Sequence, residues 1–345
     1  MDIKKKNITI KDIAAEAGVA HSTVSLVMNN KGYVSEELRT RILKSAKKLG
    51  YEPNLIARGL ISRKFPVLAA VFPEDPHFFA VAYFLGILAG IQDICRKNEK
   101  ALMLFNTDQA QKDSYYQITR KWLSSLMIIV NIDYTKNIEN NLRTLAKNNI
   151  PFVLINKYLG EEDVNYVCVD NYDGVYQAIE HLVELGHKEI GMIKGNMNTP
   201  DGLERFEVFK EVLERFHLKY NPEWVFDGDF TVESGEKAGD ELLKLEQRPS
   251  AVFASNDDMA IGIMKKLQSR GLSVPRDISL VGFDDNLQAG FLIPGLTTIK
   301  QPLFEMGQEA AQLVVSYNEE ENHKTHHIIL KPKLVIREST ASYSK

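Results

Sequence analysis

Apolar residues recur with helical spacing over the first fifty positions, then in short unbroken runs beyond residue 66. In the opening stretch Ile13, Ala14 and Ala17 share one face, Val24, Val27 and Met28 a second, and Leu38, Ile42, Leu43, Ala46 and Leu49 a third. The residues between them mark helix ends. Thr9 can cap the first helix with Asp12 in its first turn, Gly18 stops it, and the second starts near His21; Ser35 caps the third, which Gly50 ends. Two short helices this close make a helix-turn-helix, and three stripes meeting give a minimal core. Pro53 then breaks the pattern, and Asn54 can cap a short segment running to Leu60.

Beyond Pro66 the pattern alternates between strands and helices. Apolar runs stand at Val67–Phe72, Ala101–Phe105, Met127–Val130 and Phe152–Ile155, and again at Val167–Val169, Ile190–Ile193, Ala251–Ala254 and Ile278–Phe283. Polar or amphipathic stretches separate the runs, which predicts parallel α/β sheets in two similar halves.

Charge divides the chain at the same place. Residues 1–64 carry thirteen Lys/Arg against six Asp/Glu, a net of +7, whereas the remainder carries 29 against 40, a net of −11. A polyanion attracts the first surface through counterion release and is repelled by the second. The start MDIKKKNITI has no apolar signal core and no run reaches membrane-spanning length, so a cytoplasmic protein with no membrane partner is expected. Cys95 and Cys168 stand in apolar segments without metal spacing and read as buried thiols. His323, His326 and His327 lie in a polar loop beside three glutamates, and His187 reads as a turn residue; no metal or cofactor is expected. With no phosphate cradle, no G-x-S-x-G and no acid/base set, an enzyme is not expected either.

The order TIKDIA, AGVA-x-STVS, VMN, GYVSEELR, LGYEPN and ARGL resembles the lactose-repressor (LacI/GalR) family of bacterial transcription regulators. The resemblance implies an N-terminal all-α helix-turn-helix head and an α/β body like periplasmic binding proteins, with two parallel-sheet lobes. It implies a second helix that enters the major groove with His21, Ser22 and Leu26 at its reading positions. Where the family usually has an Arg able to read guanine, Leu26 offers only apolar contact, such as with a thymine methyl. Ala20 replaces a usual capping Ser, a loss on the order of 1 kcal/mol. Thr9, Ser22, Thr23, Asn29, Tyr33 and Ser35 would contact phosphates. The segment from Asn54 resembles the family's hinge helix, which folds against DNA while Leu60, with Ala57 beside it, wedges into the minor groove.

In the body the resemblance implies three crossings between lobes, near Val169–Asn171, Ile299–Pro302 and Pro332–Val335, and an effector cleft lined by loops after the strands. The domains expected are a head over 1–52, a hinge over 53–65, a first lobe of 66–169 with 301–332, and a second of 170–300 with 333–340. After the first strand, the loop holding His77, Phe78 and Phe79 is similar to the family's Pro-Phe-Phe loop, although the stretch Ala80–Gly90 that follows is longer than usual. Arg205 matches the family's effector-contacting Arg and Phe230 its aromatic platform. Asn256 and Asp284 match strand-end contacts, while Asp257 and Asp285 read as loop or cap residues. Asn156 replaces a usual Asp; with Lys157 beside it, the cleft is expected to tolerate an acidic or phosphorylated sugar. These readings add up to a repressor that binds a palindromic double-stranded operator as a homodimer under a sugar-type effector. A solute-binding protein and a regulator governed by a protein corepressor are the alternatives.

Overall fold

The computed structural model describes residues 8–28, 32–51, 67–73, 82–107, 114–122, 126–130, 136–157, 164–317 and 325–343. The chain divides into two compact units, residues 1–66 and 67–345.

The first unit holds α1 (Ile10–Ala17), α2 (His21–Met28) and α3 (Glu36–Leu49). Ile13, Ala14, Ala17, Val24, Val27, Ile42 and Ala46 form its core, with Met28, Leu38 and Leu49 packed partly against it. Leu43, expected in the inner stripe, is instead 47% exposed. Ile42 already fills that turn of α3, and one helical step of about 100° carries the next side chain round to the outside. Gly18 and Gly50 take left-handed backbone at φ 63° and 66° and end α1 and α3 as expected.

The second unit contains two six-stranded sheets. The first has the order β11-β5-β4-β3-β1-β2, built from β1 (Val67–Pro73), β2 (Ala101–Thr107), β3 (Leu126–Val130), β4 (Phe152–Ile155), β5 (Tyr166–Val169) and β11 (His327–Leu330), all parallel. Helices α4 (Ala82–Lys97) and α11 (Leu303–Val315) cover one face, and α5 (Ser114–Trp122) and α6 (Lys136–Lys147) the other. Burial of β1, β3 and β4 on both faces explains their unbroken apolar runs.

The second sheet has the order β12-β10-β9-β8-β6-β7: β6 (Ile190–Ile193), β7 (Val225–Phe226), β8 (Ala251–Ala254), β9 (Ser279–Asp284), β10 (Thr297–Lys300) and β12 (Lys333–Val335). Around it lie α7 (Asn171–Glu184), α8 (Pro200–Arg215), α9 (Val232–Leu242) and α10 (Asp257–Ser269). One strand departs from the expected all-parallel pattern, since β12 runs antiparallel to β10. Only Lys331 and Pro332 separate it from β11 in the other sheet, so the chain crosses directly and has no helix to return it to a parallel start.

His187 follows the turn that ends α7, its N–H bonded to the Leu182 carbonyl, and its ring is buried. It is 3% exposed, with Nδ1 2.9 Å from Ser250 Oγ and Nε2 3.0 Å from Ser279 Oγ and 3.1 Å from the Ala341 carbonyl, and its ring stacks on Tyr343. The C-terminal tail folds back over this position, which local sequence around 187 cannot reveal.

Candidate functional site

In the first unit, the outward side of α2 presents His21, Ser22 and Leu26, all exposed, while Thr23 and Ser25 are half-buried at its edges. Leu26 is 40% exposed and leans against Gly32, where an added Cβ would meet its Cδ2 at 3.4 Å. At the start of α2 the Ala20 carbonyl accepts from the Thr23 and Val24 amides. Thr9 gives both its N–H and its hydroxyl to the Asp12 carboxylate, at 2.8 and 2.7 Å, so its hydroxyl is committed to the helix end. Ser35 stands at the N-cap of α3 without a side-chain cap bond, and Tyr33 is 97% exposed. Asn29, Asn54, Ala57 and Leu60 lie outside the described residues, as do His77, Phe78 and Phe79.

The other expected residues meet where the carboxyl ends of the strands of both sheets converge. Asn156, just past β4 and 2% exposed, accepts from Tyr83 Oη on Oδ1 at 2.9 Å and donates from Nδ2 to Asp201 of α8. Asn171, where the chain enters the second lobe, donates to Asp201 at 3.0 Å and to Glu204 at 2.8 Å, and its Oδ1 accepts from Arg205 Nε at 2.8 Å. A second bond from Arg205 Nη1 reaches the Ser255 carbonyl at 2.6 Å, and the guanidinium lies 3.8 Å over the Phe283 ring. Arg205 is thus locked by two acceptors and an aromatic face.

Lys157 changes the expectation for the cleft. Its ammonium pairs with Glu204 at 3.0 Å. Burial opposes the charge, but the bond to Glu204 and the Glu204 charge, with smaller help from Tyr166 and Cys168, together hold the amine protonated beyond its usual range. The positive charge expected at 157 is therefore offset, and the carboxylate missing at 156 is supplied by Asp201 from the opposite lobe.

Phe230 and Asp284 complete the wall. Both have left-handed backbone, at φ 70° and 129°, as does Asn156 at 92°. For Phe230 this costs on the order of 1 kcal/mol, and Asn156 and Asp284 lie further from the left-handed helical well; such backbone persists because neighbours over-determine it. Asn256 Nδ2 donates to the Phe230 carbonyl at 3.0 Å, and Gly195 lets the Phe230 ring lie against its Cα, where any Cβ would collide. Asn256 also accepts from the Met259 amide at 3.0 Å, so both ends of its side chain serve the fold. Asp284 accepts from Gln301 Nε2 at 2.6 Å. Burial pushes its carboxyl up to about 7, against the pull of Arg205. Asp257, fully buried, accepts from Thr298 Oγ1 at 2.5 Å and from the Asn286 amide at 2.8 Å; burial first and Asp284 second raise its pKa. Asp285 pairs with Arg337 at 2.6 Å, the loop role expected of it.

Five residues of this cluster were not legible as such: Tyr83, Asn171, Asp201, Glu204 and Gln301. Two of them sit in the crossings near 169–171 and 299–302, which must border any cleft; that position was the available signal. Burial pushes the Tyr83 phenol well above its usual range, with Asp201 adding to it. Cys95 and Cys168 are buried, their thiols pushed up by burial to about 11 and about 12. His327 stacks on Tyr166 with ring centroids 4.1 Å apart. Among the described residues no helix is long and apolar enough to cross a membrane.

Comparison with known proteins places this geometry. Residues 9–54 match bacterial regulatory proteins of the lacI family, and residues 179–340 match the periplasmic binding protein-like domain. The HTH-type transcriptional repressor PurR of Haemophilus influenzae (strain PittEE) is 31% identical over 340 residues, 97% of this chain and 99% of that protein. The lac repressor dimer bound to operator and the anti-inducer ONPF superposes with a TM-score of 0.82 at 26% identity, covering 97% of this chain and all of the other. A complex of the transcriptional regulator CelR with cellobiose gives a TM-score of 0.73 at 29% identity, covering 96% of this chain and 99% of that one.

Proposed function

Because the chain belongs to the lacI family of bacterial regulatory proteins, we propose that it is a cytoplasmic repressor that grips a two-fold operator as a homodimer and answers to a small polyhydroxy effector between its lobes. The observation that carries this reading is the pairing of an outward-facing α2 in one unit with a cleft network in the other that spans both lobes. His21, Ser22 and Leu26 read bases, Leu26 by apolar contact with a thymine methyl. Thr23, Asn29, Tyr33 and Ser35 face phosphates, and Leu60 with Ala57 occupies the minor groove at the operator centre. The protein acts by binding, without turnover.

Arg205, Asp284 and the Phe230 ring hold the effector, with His77, Phe78 and Phe79 as further contacts, Phe78 or Phe79 against one flat side of it. A ligand seated there competes with or bridges Asn156–Asp201 and Lys157–Glu204, which join the lobes. It thereby biases the angle between lobes, the coupling on which allostery rests. Exposed apolar side chains support the homodimer: Leu287, Phe291 and Ile293 are 73%, 79% and 91% exposed in the second lobe. Dimerisation would cover them. The boundaries proposed are a head to residue 52, a hinge over 53–65, and lobes exchanging chain near 169, 300 and 332.

The test is selection of bound genomic fragments with purified protein at about 0.15 M salt, where nonspecific attraction is weakened. A recovered palindrome supports the reading, and repeating the selection with sugars gives the sign of the response. Binding that fades with salt and yields no motif, with or without sugars, would count against it.

A further inference from the structure

The cleft holds more acid than base. Asp284 is faced by Arg205 and Asp201 from α8 and by Asp258 from α10, and in turn acts on Asp257 of α10 and on Tyr83 of α4. Among the described cations, Lys157 is paired with Glu204, and Lys300 and Arg337 with Asp285, while Arg205, bound to the neutral oxygens of Asn171 and Ser255, keeps its charge toward Asp284. A second observation is independent of charge. Gln301, 4% exposed, gives Nε2 to Asp284, while its Oε1 on the same amide is buried and has no partner among the described residues. A buried acceptor left empty is costly, and the group that relieves it must be a donor.

We propose that the effector is a cationic polyhydroxy compound, an amino sugar in its ammonium form, whose nitrogen sits between Gln301 Oε1 and the Asp284 carboxylate. This rests on the reading that the cleft takes an effector. An ammonium offers three donors and a full charge, so one group fills the empty acceptor and offsets the sheltered carboxylate. A neutral hydroxyl could do only the first, and a uronate or sugar phosphate would add repulsion. Burial raises the Asp284 carboxyl to about 7 against the pull of Arg205, and a bound ammonium would drive its proton off.

The experiment is calorimetry of the full chain at pH 7 with D-glucosamine, D-glucose and D-glucuronate, and with the matching galactose set, in two buffers of different ionisation enthalpy. At least one amine is expected to bind about tenfold more tightly than its neutral parent. Its binding should release protons, and both the preference and the release should vanish in Asp284→Asn. Gln301→Met should lower amine affinity with proton release retained. Equal or tighter binding of a parent or uronate overturns the proposal. So does the absence of amine binding at about 10 mM while specific operator binding is intact. Loss of specific operator binding by the unaltered chain would instead be a failure of the regulator reading.

Discussion

Asn156 spends its amide in two directions, accepting from Tyr83 in its own lobe and donating to Asp201 in the other. Asn156→Asp keeps the size but sets two carboxylates face to face across the cleft. The expected outcome is a wider lobe angle, read as a larger radius of gyration by small-angle scattering, and Asp201→Asn in the same chain should reverse it. A second residue-scale prediction concerns His187. Removing it as His187→Gln leaves buried partners at Ser250, Ser279 and Ala341 and should cost about 1–3 kcal/mol in urea denaturation at pH 7.5. Burial holds the His187 and His181 rings below the usual imidazole range. The neutral ring is therefore favoured on folding, a contribution fully present above the unfolded value of about 6.5 and lost as pH falls through the lower folded one. Asp284 and Asp257 have raised values and pull the opposite way, so the readout is the gap between His187→Gln and the parent, which should narrow from pH 7 to pH 5. Arg205 and Phe230 were named through the family resemblance, and Asp284 because it ends a readable strand, β9. Asp201 and Gln301 could not be found in either way, since their meaning arises only when distant crossings bring them to one place.

At the scale of elements, both lobes use the same device to bring two helices together. In the first, Gly90 of α4 faces the Phe304 carbonyl and Gly307 of α11 faces that of Ile87; in the second, Gly235 of α9 faces the Met259 carbonyl and Gly262 of α10 that of Val232. At each position a Cβ would collide with backbone, which cannot give way as a flexible side chain can. Gly90→Ala should therefore destabilise the body by about 3 kcal/mol or more, checked by thermal unfolding, although alanine favours an isolated helix. The core strands were legible because burial on both faces writes them as unbroken apolar runs. Of the edge strands β2 was read, but β11 has the alternating burial of a one-sided surface, and β7 and β12 have only two and three residues. Leu43 failed for a related reason, because an apolar residue next to a helical stripe reads as part of it.

For the whole molecule, one head offers a small contact area, and affinity depends on two heads held together. Phe291→Asp, at an exposed position away from the cleft network, should yield monomers by analytical ultracentrifugation. It should also weaken operator binding about a hundredfold or more at fixed salt, because effective concentration is lost without any change in the reading helix. The separation of charge also acts at this scale: the basic first 64 residues set the salt slope, while the acidic remainder keeps the body from adhering to DNA along its length.

The way the chain weaves between the sheets has a consequence in time. The first lobe is closed by α11 and β11, and the second receives β12 and then residues 337–341, where Arg337 pairs with Asp285 and the Ala341 carbonyl meets His187. A ribosome that has made 300 residues has thus released a complete head attached to two unfinished lobes. During synthesis the capacity to touch DNA comes first and the capacity to be regulated comes last. Arrested nascent chains of that length should show a protease-resistant head and a degradable body, with resistance of the body gained only once residue 341 has cleared the exit tunnel.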